Sequence, residues 1–316
     1  MSATGALRRS AEAASQNAVA LGYVSGWRLV RLLPERAALA TFTRAADQIY
    51  RRDGRSVRRL RANLARVRPD LDEVALERLT HAAVRSYLRY WAESFRLPSW
   101  PTDDLVRRTR VVNEAVVRDA LARGTGAVAP VPHMANWDWA GAWACATGIP
   151  LTTVAERLKP ERLYDEFVAY RASLGMEILP AGDPGTFGTL IERVRQNRLV
   201  PLLADRDMSR SGVEVTLCGE RARMPRGPAE LARRTGAPLI PATLYYDGPE
   251  LVVTFHDPVP VAEGEAGTIA AMQAVADLFT EALREHPVDW HMMQRVFVAD
   301  LPAGRNGNGT ADGNGS

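Results

Sequence analysis

The sequence predicts an α/β protein: a single domain with a mainly parallel central sheet flanked by helices, a helical N-terminal region and a disordered C-terminal tail. Three observations carry this. Residues 51–97 place apolar side chains at helical i, i+3, i+4 spacing. From about residue 111, short apolar runs alternate with helical segments, the pattern of strands joined by crossover helices. From Ala303, Gly, Asn and Asp replace apolar residues, a composition that cannot bury a core. With 316 residues, 46% of them hydrophobic, the chain is large enough for a sizeable core.

In chain order, residues 1–50 form an N-terminal helical or interfacial segment. Val19, Leu21, Tyr23, Val24, Trp27, Leu29, Val30, Leu32 and Leu33 make an apolar run broken by Arg28 and Arg31 and stopped at Pro34. Such a helix lies in a headgroup plane or packs on the protein's own core, and the sequence leaves both open. Residues 51–302 form the main domain. It opens on a basic amphipathic helix, with Val57, Leu60 and Leu64 on one face and Arg51, Arg52, Arg55, Arg58, Arg59, Arg61, Arg66 and Arg68 around it. A helix-rich stretch follows over 70–97. Strands are expected at 127–132, 151–155, 176–179, 200–204, 213–217, 239–246 and 251–255. Helices are expected at 163–174, 186–197, 228–235 and 268–285. Residues 303–316 are the tail.

Net charge is only +3, but Lys159 is the single lysine, so nearly all the basic charge is arginine, which forks onto phosphates. The arginine-rich helix reads as a contact for anionic lipid headgroups or as a solvated face. A nucleic-acid arm would need interleaved aromatics and a binding motif, and it has neither. Two cysteines, Cys145 and Cys218, are too few for a disulfide framework or a structural zinc site, which suits a reducing compartment. Met1–Asn17 does not read as a secretory signal, and no uninterrupted apolar window approaches ~18 residues. Without a GxGxxG or P-loop no nucleotide cofactor is expected, and no metal site is expected.

Among five histidines, His133 has the strongest context. It follows an apolar run, Val128-Ala-Pro-Val-Pro132, and precedes a helix start that carries Asp138. A histidine at a strand's carboxyl end with a nearby carboxylate is a way to present a general base. In mid-helix the two would not share a face, since five residues turn the chain through about 500°. The pair therefore requires a strand-to-helix junction, from which Asp138 either reaches back to a ring nitrogen or holds the turn. Ser94, Ser99 and Ser173 lack a G-x-S-x-G elbow, which disfavours an acyl-enzyme hydrolase.

His-x4-Asp after a short strand resembles the signature of the glycerolipid and lysophospholipid acyltransferase superfamily. Val200-Pro-Leu-Leu-Ala-Asp205-Arg-Asp207 resembles the Asp-x-Asp segment of bacterial lipid A late acyltransferases. The block from Gly219 through Gly227-Pro-Ala-Glu230, Thr235-Gly-Ala-Pro238, and Pro287-Val-Asp-Trp290 with Arg295 resemble further segments of that family. The Trp137-Asp138-Trp139 form looks most like its phosphatidylinositol mannoside branch. The resemblance covers roughly residues 50–298 and implies that 51–302 is an acyltransferase domain. It implies acyl-CoA as co-substrate with no cofactor, a glycolipid acceptor, and a peripheral place on the anionic cytoplasmic face of the plasma membrane. It implies His133 as the base, a carboxylate partner at Asp205 or Asp207, and Arg171 and Glu156 shaping the site. Ser211 and Glu230 are further candidate contacts to donor or sugar. Two alternatives stand beside this: an acyltransferase with a glycerophosphate or other glycolipid acceptor, and a non-enzymatic protein binding anionic lipid through residues 18–68.

Overall fold

The structure, a computed structural model, describes residues 26–27, 29–157, 161–207, 209 and 211–301. The expected tail over 303–316 and the first part of the apolar N-terminal run, 18–25, lie outside the described residues.

Up to residue 100 the described chain is helical. Helices α1 (Glu35–Arg52), α2 (Arg55–Val67) and α3 (Glu73–Arg96) pack on one another. Asp72 caps α3 by accepting the Ala75 N–H at 2.7 Å, a bond worth about 1 kcal/mol. Helix α2 buries Val57, Leu60, Leu64 and Val67, the 3-4-3 stripe of an amphipathic helix. Most of its arginines are engaged inside the protein. Arg59 and Arg66 bind Asp300, Arg61 bridges Asp53 and Glu77, and Arg58 reaches Asp53. Arg52 and Arg55 stay exposed. The two readings of the preceding segment divide within it. Trp27 is buried against Phe95, Phe167 and Tyr170, while Leu29 and Leu32 are 61% and 81% exposed. No helix among the described residues is long and apolar enough to cross a membrane.

The second part alternates strands and helices: α4 (Thr102–Arg107), β1 (Thr109–Val112), α5 (Glu114–Ala122), β2 (Ala127–Val131), α6 (Trp137–Ala146), β3 (Thr152–Ala155), α7 (Glu161–Ser173), β4 (Glu177–Pro180), α8 (Thr186–Arg195) and β5 (Leu199–Leu203). A hairpin of β6 (Val213–Leu217) and β7 (Glu220–Met224) follows, then α9 (Gly227–Thr235), β8 (Ala242–Asp247), β9 (Glu250–Phe255) and α10 (Gly264–Glu285). Strands β1 and β7 and helices α4 and α5 go beyond the sequence expectation. Strand β8 starts later than expected, after Pro241.

The expected single, mainly parallel sheet does not form as one continuous ladder. The bonded groups are β1-β9-β8, β2-β5, β3-β4 and β6-β7. Pairs β1-β9, β2-β5 and β3-β4 are parallel, whereas β8-β9 and β6-β7 are antiparallel. Proline explains two of the breaks, because it has no N–H to place in a ladder. On β5, Leu199 donates to Pro150 O, but the next residue facing β3 is Pro201, whose carbonyl accepts the Thr153 hydroxyl instead. On β2, Val128 exchanges bonds with Pro238 and Ile240, and the next residue facing that way is Pro130. Single rungs at Leu151–Leu199 and Val128–Leu239 hold the groups side by side.

Gly126 sets the start of β2. Its φ is +65°, and Asn197 Oδ1 accepts its N–H at 2.9 Å. A Cβ at this position would land on the Val194 carbonyl oxygen at the end of α8. Gly126→Ala is therefore expected to destabilise the fold by ~2–4 kcal/mol through backbone strain and overpacking. Urea unfolding of wild type and variant measures this, and a difference within ~0.5 kcal/mol would contradict it.

Candidate active site

The β2–β5 register sets the site. Val131 pairs with Leu203, so His133 and Asp205, each two residues further, leave the strand ends side by side. The His133 ring Nδ1 lies 2.6 Å from Asp205 Oδ1, and the His133 backbone N–H donates to Oδ2 at 3.0 Å. Trp290 Nε1 donates to the same Oδ2 at 2.8 Å. Asp205 is fully buried, whereas the His133 side chain is 25% exposed. Burial alone would lift the Asp205 carboxyl. The charge of His133 and these three donors outweigh burial and hold it below its ordinary value. An ionised Asp205 accepts, so Nδ1 carries a proton and donates it to the carboxylate. Of the two carboxylates left open by the sequence, Asp205 makes this contact. Asp207 turns its carboxylate onto Ser209 N, and its own N–H donates to Arg223 O.

Between strand and helix the chain turns through Ala135 at φ +45°, a left-handed conformation that needs bracing. The bracing comes from residues 289–291. Ala135 N–H donates to Asp289 O at 2.9 Å, His291 N–H donates to His133 O at 2.8 Å, and Met134 forms a bridge with Trp290. Asn136 then caps α6 by accepting the Trp139 N–H, and its amide donates to buried Glu93. Glu93 also accepts from Arg89 and from the Tyr246 hydroxyl, so α3 is tied to the turn beside the histidine.

Asp138 does not reach back to the imidazole. In the first turn of α6 its carboxylate accepts from Arg171 Nε at 2.7 Å and from the Tyr90 hydroxyl at 2.9 Å. Burial disfavours the Arg171 cation, but the Asp138 carboxylate outweighs it and keeps the guanidinium charged. The two buried acids thus serve separate pairs: Asp205 with His133, and Asp138 with Arg171. Glu156 is exposed just beyond β3. Ser211 is exposed and bonds Ser209. Glu230 lies on α9, where it pairs with Arg233 and accepts from Thr268 on α10. Neither Ser211 nor Glu230 joins the His133 network through these bonds.

Sequence reasoning missed Tyr90, Glu93 and Ser86 as site residues, and it named Asp289 only within the Pro287–Trp290 segment, with no partner. Ser86 donates to Asp289 at 2.6 Å and sits 3.0 Å from His291 Nε2. These residues lie far from the motif in sequence and carry no spacing signal. Burial pushes both cysteine thiols up to about 11, so neither is poised as a nucleophile. Among the described residues no serine or cysteine is bonded to the His133 ring.

A cavity of about 90 Å³ lies under α6, lined by Trp137, Asp138 and Arg171 and by side chains of β2, β5, β8 and β9. Such a lining accepts an apolar chain. The family model for bacterial lipid A biosynthesis acyltransferases matches residues 11–298. The chain belongs to this family. Its relatives include the phosphatidylinositol mannoside acyltransferase of Mycolicibacterium smegmatis, 44% identical over 89% of this chain and 92% of the relative. A phosphatidylinositol mannoside acyltransferase of Mycobacterium tuberculosis is likewise 44% identical, over 90% of each chain.

The clamp segment gives a pH prediction. Burial, then the nearby His133 charge, push the His291 ring down to about 3, so it is neutral in the folded protein near pH 7. An unfolded histidine titrates near ~6.5. Below that value the unfolded chain binds a proton the folded chain does not. Stability is therefore fully present above pH ~6.5 and falls as pH drops toward 3, by up to ~1.4 kcal/mol per unit from this group. Urea midpoints from pH 7 to 4 for wild type and His291→Asn are expected to converge as pH falls. Parallel curves would contradict the assignment.

Proposed function

We propose that this protein is a peripheral-membrane acyltransferase that moves a long-chain acyl group, palmitoyl in the leading case, from acyl-CoA to a mannose hydroxyl of phosphatidylinositol mannoside, at the cytoplasmic face of the plasma membrane. The observation that carries the reaction type is the His133–Asp205 pair, whose imidazole packs against Trp137, a residue that lines an apolar cavity. The acceptor is argued from relatives 44% identical over nine-tenths of the chain that bear that name. The exposed Leu29 and Leu32, with Arg52 and Arg55, supply apolar and cationic groups for a membrane surface.

In this reading His133 Nε2 takes the proton of the acceptor hydroxyl while its oxygen attacks the thioester carbonyl carbon. The tetrahedral intermediate collapses, the carbon–sulfur bond breaks, and the CoA thiolate takes the proton back from the imidazolium. The products are the ester and CoA with its thiol. Asp205 fixes the tautomer and stabilises the transient imidazolium, as a buried acceptor on Nδ1 does in other His-based sites. Asp138 and Arg171 hold the wall of the cavity, into which the acyl chain extends. Glu156, Asp207 and Ser211, near the ends of β3 and β5, are proposed contacts for the sugar or the pantetheine arm. Glu230 stays a candidate only if its bonds to Arg233 and Thr268 open.

Loss of the base is expected to lower the rate by ~10²–10⁴-fold. Mass-spectrometric assay of palmitoyl transfer to phosphatidylinositol mannoside, with glycerol 3-phosphate as the comparison acceptor, tests this in His133→Ala and Asp205→Asn. Both variants should retain the wild-type far-ultraviolet circular dichroism and lose transfer. A folded His133→Ala protein with wild-type turnover would overturn the mechanism, and a preference for glycerol 3-phosphate would overturn the acceptor.

A further inference from the structure

We infer that Met176 is a specificity-determining residue that sets which acyl chains the cavity takes, acting against Gly141 on the facing helix. The inference rests on the reading of the cavity as the acyl site.

The cavity exists because its walls are small. Ala140, Gly141 and Ala144 of α6 face it from one side, and Ala129 and Ala242 from the sheet. Met176, between α7 and β4, is the flexible side chain in that wall. It fills the space a side chain at 141 would take: an added Cβ at Gly141 would lie 2.6 Å from Met176 Sδ. Methionine is unbranched and fills irregular gaps, so its rotamer adjusts the local bore. Gly141 is four residues along α6 from Trp137, or about 6 Å at 1.5 Å per residue. The contact therefore sits in the cavity wall about one helical turn from Trp137, the lining residue whose ring meets His133. Met176 is also coupled to the Asp138–Arg171 pair in that wall, because its N–H donates to the Arg171 carbonyl at 3.2 Å and Arg171 holds Asp138.

Competition assays with acyl-CoA donors of 12 to 20 carbons and a methyl-branched donor test the assignment. They use the full-length wild type, Met176→Ala, Gly141→Ala and the double variant. Met176→Ala should shift the preference toward longer or branched chains, by about fourfold in relative kcat/KM for each methylene newly accommodated. Gly141→Ala should push the thioether into the bore and shift the preference toward shorter chains. The double variant, with a methyl at 141 and no sulfur opposite, should return toward the wild-type profile. That reversal separates a direct bore effect from general loss of stability, which thermal melting monitors. A wild-type profile in folded, active Met176→Ala would overturn the inference and leave the acyltransferase reading standing. Failure of wild type to consume any acyl-CoA would overturn both.

Discussion

The Asp205 carboxylate is the contact on which the rest of the site depends. It is fully buried and accepts three hydrogen bonds, from the His133 backbone, the His133 ring and the Trp290 indole. A buried carboxylate left unpaired would cost several kcal/mol, so these donors are obligatory partners. They come from two distant parts of the chain. The β2–β5 register supplies the first two, and the segment after α10 supplies the third. That segment also carries the bonds that hold Ala135 in its left-handed turn. Folding of the sheet centre, closure of the C-terminal segment and selection of one imidazole tautomer are therefore one event.

The second buried acid shows why two carboxylates are needed. Asp138 is nearer to His133 in sequence, yet it lies in the first turn of α6, where a negative charge is favoured by the helix N-terminus. Arg171 and Tyr90 satisfy it fully. This division pairs the Arg171 cation with Asp138 and leaves the imidazole to Asp205. It also places a buried ion pair in the wall of an apolar cavity. A charge pair there is tolerable because each partner is hydrogen-bonded.

Much of this was legible in sequence. The strand before His133, the helix after it and the strand ending at Asp205 follow from apolar runs and their punctuation. The histidine itself stands out by context. What periodicity could not carry was pairing across distance. The choice between Asp205 and Asp207 turns on the β2–β5 register, and two residues of equal parity on one strand look alike until a partner strand is fixed. The roles of Tyr90, Glu93 and Ser86, and the partner of Asp289, were invisible for a related reason. Each is a polar residue on or beside a helix whose meaning lies in a buried bond to a segment tens of residues away. The arginines of α2 read as a lipid-facing set because their carboxylate partners, above all Asp300, lie at the far end of the chain.

The departure from a continuous sheet bears on the same site. Pro130 and Pro201 sit in the two central strands, one beside His133 and the other beside Asp205 in sequence. Each removes the N–H that would have bonded to the outer neighbour, and leaves the β2–β5 pair intact. The central pair is thus less tied to β3 and β8 near its carboxyl end, where β3 is held by a threonine hydroxyl instead of a backbone rung. Pro201 also lines the cavity, together with Thr153. Residues that loosen the ladder are therefore residues that bound the apolar space. A fully laddered sheet would draw β3 closer along its whole length. The prolines leave the β2–β5 register to fix the histidine beside its carboxylate, while the neighbouring strands stand where the cavity needs them.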